Sequence, residues 1–124
     1  MARILIVEDD PLFATSMSEL LEGAGHTVLG IADTGASALQ QAARHQPDLA
    51  LVDIKLKNKG DGVRTALRLK ARHSLKVVFV SGYLDSRTQK RAAEVEPAGF
   101  VTKPCSAQDL LKIVFVATAE SSVS

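Results

Sequence analysis

Cysteine and tyrosine each occur once in the 124 residues, and tryptophan does not occur. A lone Cys105 cannot close an internal disulfide and offers no thiol cluster to a metal. It reads as a small packed hydrophobe. His26, His45 and His73 are scattered without ligand spacing, which leaves them surface or packing roles. No apolar run approaches the roughly 18 residues of a membrane span. Residues 1–7, Met-Ala-Arg-Ile-Leu-Ile-Val, run straight into charge and are too short for a secretory signal. There is no glycine-rich loop to cradle a phosphate and no Gly-x-Ser-x-Gly around Ser81, so nucleotide-binding and serine-hydrolase readings fall away. These absences leave a cytoplasmic globular protein as the expectation. The length suits one domain, and 46% hydrophobic with 23% charged residues is close to the globular norm.

The net charge of +1 hides an asymmetry. Residues 1–54 set eight acidic side chains against Arg3 and Arg44, whereas residues 55–76 set eight basic ones against Asp61 alone. The sign changes between Asp53 and Lys55. Arg64, Arg68 and Arg72 are spaced four apart, one stripe of a helix. With Lys55, Lys57 and Lys59 they read as a solvated face, or alternatively as a docking surface that steers an acidic partner. No aromatic residues interleave with them, which argues against nucleic acid.

Short apolar runs alternate with helical patterns. Ile4–Val7, Thr27–Ala32, Leu49–Ile54, Val77–Ser81 and Gly99–Thr102 read as strands, several of them apolar on both faces. The first helix starts with Asp10 as cap and Pro11 at its first position, and it turns Phe13, Met17, Leu20, Leu21 and Ala24 inward until Gly23 and Gly25 stop it. Helices follow over 37–44 (Leu39, Ala42 and Ala43 inward), 62–72, 84–95 (Leu84, Ala92 and Val95 inward) and 106–118. Five strands alternating with five helices call for a doubly wound parallel sheet.

In such sheets, ligands bind beyond the carboxyl ends of the strands near the switch point. There the sequence places Glu8, Asp9 and Asp10 after the first strand, Asp53 after the third, Ser81 after the fourth and Lys103 after the fifth. Asp10 is accounted for as a helix cap. Glu8, Asp9 and Asp53 would repel one another without a cation between them, and a hard divalent ion with oxygen ligands fits. Carboxylates, a metal, an ammonium and a hydroxyl around one point suit phosphoryl transfer, and a carboxylate can itself be the acceptor.

The ordered motifs Ile-Leu-Ile-Val-Glu-Asp-Asp (4–10), Leu-Val-Asp-Ile (51–54), Asp-Gly (61–62), Val-Ser-Gly (80–82) and Gly-Phe-Val-Thr-Lys-Pro (99–104) resemble the receiver domains of two-component response regulators over residues 3–118. The resemblance implies a flavodoxin-like (βα)5 fold with strand order 2-1-3-4-5. It implies Asp53 as phosphoacceptor, and Glu8, Asp9, Asp53 and the Lys55 carbonyl as the site for Mg²⁺ or Mn²⁺. Ser81 and Lys103 would act on the phosphoryl group, and Ser81 with Phe100 would form the switch. Lys55 and Tyr83 would tune phosphoryl lifetime, and the Lys103–Pro104 bond would be cis. Implied partners are a sensor histidine kinase or histidine phosphotransfer protein and a downstream protein target, with no direct contact to nucleic acid or membrane. Two alternatives remain open: a pseudo-receiver that only binds partners, and a receiver cut from a larger regulator or hybrid kinase.

The sequence also departs from the family's habits. Lys57 stands where proline is usual, the loop to Asp61-Gly62 is one residue longer, Phe100 replaces the commoner tyrosine, and Cys105 stands where an apolar aromatic is frequent. The last helix is apolar all round: Ala107, Leu110, Leu111, Val114 and Ala117 form its core face, with Ile113, Phe115 and Val116 left over. This favours self-association or partner docking, for which the face of the fourth helix, fifth strand and fifth helix is the candidate. Residues 1–120 are expected to form the receiver domain and 121–124 a frayed tail. A chain of this length has no room for an output domain, so if it is complete its output is a protein–protein contact.

Overall fold

The fold follows from strands that are apolar on alternating residues in both directions. In the computed structural model, which describes residues 1–56, 60–82 and 84–119, β1 (Arg3–Val7) sends Ile4 and Ile6 to one layer and Leu5 and Val7 to the other. β3 (Leu49–Val52) and β6 (Lys76–Ser81) do the same, and a strand buried on both faces belongs inside a parallel sheet. The sheet is completed by β2 (Thr27–Ala32) and β7 (Gly99–Thr102), in the order β2-β1-β3-β6-β7 with every pair parallel. Counted among the sheet's own strands this is 2-1-3-4-5, the order implied by the resemblance. A two-stranded antiparallel ladder of β4 (Lys55–Leu56) and β5 (Gly60–Asp61) lies outside the sheet.

Helices cover both faces. α1 (Pro11–Gly23) and α5 (Ala107–Ala119) pack Ala14, Met17, Leu21, Leu110, Val114 and Ala117 onto Ile4, Ile6, Leu49 and Val78. On the other face, α2 (Gly35–His45), α3 (Gly62–His73) and α4 (Ser86–Glu94) bring Ala38, Ala42, Ala66, Leu69 and Ala92 onto Leu5, Val52, Val77 and Phe79. Each fully buried Leu, Ile or Phe contributes about 1.5–3 kcal/mol. Side-chain caps start the helices. Asp10 accepts from Leu12 N–H, Thr34 from Ser37 N–H, Asp61 from Val63 N–H and Asp85 from Thr88 N–H.

Several expected boundaries and faces are corrected. The third strand ends at Val52 rather than Ile54, because β4 turns the chain out of the sheet and the Ile54 carbonyl accepts the Gly62 N–H at 2.8 Å. The fourth helix begins at Ser86, with Asp85 as its cap, so Leu84 is buried from the preceding loop. Ala24, Ala43 and Ala107 were expected inward and are exposed; Ala24 is the residue that closes α1 and Ala107 the one that opens α5, and Ala43 lies in the last turn of α2. Among the described residues, no helix is long and apolar enough to cross a membrane.

Candidate functional site

Parallel register brings the strand ends level. Val7 pairs with Val52, and the next residues, Glu8 and Asp53, step off the sheet together, with the Asp53 N–H donating to the Val7 carbonyl at 2.9 Å. The order of strands reverses between β1 and β3, so these carboxylates stand in the crevice where doubly wound sheets bind their ligands. Asp10 turns away to cap α1. Glu8, Asp9 and Asp53 each offer a carboxylate oxygen, all within 4.8 Å of one another. Glu8 is 2% exposed and Asp53 7%.

Such a grouping needs positive charge, and Lys103 supplies it. Ser81 pairs with Thr102 at the end of β6, and its carbonyl accepts the Lys103 N–H at 2.7 Å. The Lys103 ammonium donates to Glu8 Oε1 at 2.7 Å and lies 3.2 Å from Asp53 Oδ2. Burial opposes its charge, but the hydrogen bond to Glu8 and the field of Asp53 outweigh burial and hold its pKa above the usual lysine value. Burial pushes Glu8 upward. The Lys103 ammonium and the Asp10 N–H act against that rise, while the Asp53 charge adds to it. The Lys55 N–H donates to Asp53 Oδ1 at 3.2 Å, so both oxygens of that carboxylate are engaged. Ser81 is 1% exposed. The Lys103–Pro104 bond is cis.

Gly62 sits directly behind Asp53. A Cβ there would run into the Asp53 carbonyl oxygen and Ile54 Cα, so only glycine lets α3 start this close to the acid. The preceding Asp61 caps α3 and pairs with Arg91 of α4 at 2.6 Å.

Of the other residues singled out from sequence, Phe100 is not part of this cluster. It lies on β7, 38% exposed, with its ring centroid 5.9 Å from that of Phe79. It borders a groove of about 630 Å³ between α4 and β7, lined also by Leu84, Ala93 and Pro97. A larger groove of about 980 Å³, bordered by Met1, His26, Lys76 and Phe115, holds none of the candidate site residues. Burial and Asp109 raise the Cys105 thiol, in keeping with a packed, protonated side chain. Arg64, Arg68 and Arg72 line the exposed side of α3. Tyr83, Lys57, Lys59 and the 121–124 tail lie outside the described residues. Two partners were missed from sequence. Phe13, expected only as core, lies under the Lys103 ammonium at 4.4 Å from its ring centroid. Arg91 gave no signal, because its pairing with Asp61 spans 30 positions.

A five-stranded doubly wound sheet in this order, with its ionisable groups gathered beyond the switch point, is a flavodoxin-like α/β domain. Within that class, the chain belongs to the response regulator receiver domain family, whose pattern matches residues 4–115. It is 27% identical over 117 residues to the transcriptional regulatory protein PdtaR of Mycobacterium tuberculosis, covering 94% of this chain and 57% of that protein. It is 36% identical over 104 residues to the phyllosphere-induced regulator PhyR of Methylorubrum extorquens, covering 82% and 38%. The chain thus spans about half or less of these relatives. Among solved structures, the signal receiver domain of a modulated diguanylate cyclase from Desulfovibrio desulfuricans G20 is 38% identical with a TM-score of 0.92, covering 99% of this chain and 98% of that one. A CheY-like receiver domain protein from Methanospirillum hungatei is 28% identical with a TM-score of 0.87, covering 100% and 99%. Receiver domains are signalling modules of two-component systems, and they typically bind Mg²⁺ at an acidic cluster of the kind formed here by Glu8, Asp9 and Asp53.

Proposed function

We propose that Asp53 accepts a phosphoryl group from a phosphohistidine on a sensor kinase or phosphotransfer protein. The observation that carries this reading is the Lys103 ammonium held between two nearly buried carboxylates, Glu8 and Asp53. In the transfer, an Asp53 carboxylate oxygen forms a bond to phosphorus while the nitrogen–phosphorus bond of the donor breaks. The imidazole nitrogen leaves with the electron pair and takes up a proton. Lys103 sets a fixed positive charge beside the incoming group, and the Ser81 hydroxyl serves as a donor to it. The Glu8, Asp9 and Asp53 carboxylates with the Lys55 carbonyl would hold Mg²⁺ or Mn²⁺, whose oxygen-only preference suits this donor set. That ion supplies neutralisation of charge on the phosphoryl oxygens. The domain thus assists its own phosphorylation and hydrolysis, with Lys55 and Tyr83 tuning the lifetime of the phosphoryl group.

The added charge shifts Ser81 and Phe100 between two populations and so alters the α4/β7/α5 face. That face is the proposed contact for a downstream target or a second copy, bounded by Phe100, Ile113 and Val116. The receiver domain is taken as residues 1–120.

Acetyl phosphate with Mg²⁺ should add one phosphoryl group per chain by intact-protein mass spectrometry, and Asp53→Asn should add none. Equal labelling of that variant would reject the assignment, and an unlabelled wild type would favour the pseudo-receiver. Mg²⁺ binding in the micromolar-to-millimolar range, followed by amide NMR titration, should be lost in Asp9→Asn.

A further inference from the structure

We propose that Phe13 is a positioning residue for Lys103, its ring face fixing the ammonium beside Asp53. The inference rests on the reading of Asp53 as the phosphoacceptor. A lysine head group sits on a stem with four rotatable bonds and presents no fixed geometry of its own, so something must place it. In this site three groups do so. Glu8 Oε1 at 2.7 Å and Asp53 Oδ2 at 3.2 Å take two directions, and the Phe13 ring, with its centroid 4.4 Å from Nζ, takes a third. That distance is well inside the ~6 Å over which a ring's negative face attracts a cation.

Phe13 is itself well anchored. It lies in the first turn of α1, its own N–H donates to the capping Asp10 at 3.4 Å, and its ring packs against the α1/α5 core. The ring is therefore tied to the same turn that presents Glu8 and Asp9. When Asp53 gains a phosphoryl group, or Glu8 turns to a metal ion, the attraction of the ring for Lys103 does not depend on that exchange. Leucine would fill the same core space without a negative face.

The test separates attraction from packing. Mono-, di- and trifluorinated phenylalanine introduced at position 13 keep the ring's shape while draining its negative face. The rate constant for phosphorylation by acetyl phosphate at saturating Mg²⁺ should fall stepwise along the series. Phe13→Leu should lower it about three- to tenfold, and Phe13→Tyr should restore it. The apparent Mg²⁺ affinity should stay within about twofold throughout, since no metal ligand is altered. A flat series with a normally phosphorylated wild type would overturn the inference alone, as would Mg²⁺ affinity falling in parallel with rate. A wild type that takes no phosphoryl group at all would instead overturn the reading beneath it. Independently of phosphorylation, carbon relaxation should show the Lys103 side chain less ordered in Phe13→Leu than in wild type. Unchanged order would refute a positioning role.

Discussion

At the scale of single residues, the site turns on how much positive charge a tight group of carboxylates requires. Lys103 answers Glu8 and Asp53 at once, and removing it would strand two nearly buried acids. Because the ammonium is partly exposed, the cost is well below that of breaking a fully buried pair. Lys103→Met should lower the stability of the metal-free protein by about 1–3 kcal/mol in urea unfolding. Millimolar Mg²⁺ should recover part of that loss, since an ion held only by the folded state stabilises it. No loss in the metal-free protein would mean that the pairing is incidental. The acids and the lysine were legible in the sequence because each follows directly on an apolar strand. Phe13 was not. Its spacing in α1 marks it as core, and nothing in a linear chain announces that Lys103, 90 positions away, crosses its ring.

At the scale of elements, strands apolar on both faces and helices opened by Asp10-Pro11 or Asp61-Gly62 carry their own signals, which is why five strands and five helices could be read directly, whereas the order of the strands came only with the family resemblance. The β4/β5 ladder could not, since two residues per strand leave no period to detect. The same ladder explains the misplaced end of β3: Ile54 is apolar and buried, yet it serves the turn beneath α3 rather than the sheet. Gly62→Ala should therefore cost about 2–3 kcal/mol in urea unfolding and slow phosphorylation by shifting Asp53. Unaltered stability would show that the close approach is relaxed in solution.

Asp61 offers a second test at this scale. Burial works against its charge, but the Arg91 guanidinium and the Arg64 and Val63 N–H groups prevail and hold the carboxyl below its usual range. The stability it provides is then present above pH about 4 and lost as pH falls through its lowered value. Asp61→Ala should cost about 1–2 kcal/mol at neutral pH, and its unfolding curve should depend less on pH in the acid range than that of wild type. Parallel curves would contradict this.

At the scale of the whole molecule, the +1 net charge is made of an acidic end that builds the site and a basic block that begins two residues past Asp53. The apolar surplus of α5 divides between two places. Phe115, 70% exposed, borders the groove at the amino ends of the strands, whereas Val116 lies with Phe100 beside the edge strand β7. Only the second is continuous with the proposed contact face. Val116→Glu should leave unfolding within about 1 kcal/mol of wild type while abolishing any self-association of the phosphorylated protein in sedimentation velocity. Association that persists unchanged would move the contact elsewhere. The central claim is that Asp53, flanked by Glu8, Asp9 and Lys103, is where the phosphoryl group resides. Borohydride reduction of the acetyl-phosphate-treated, Mg²⁺-loaded protein, followed by peptide mass spectrometry, reads that position directly. Homoserine at position 53 alone is the expected result, and homoserine at another carboxylate, or at none, would contradict the account.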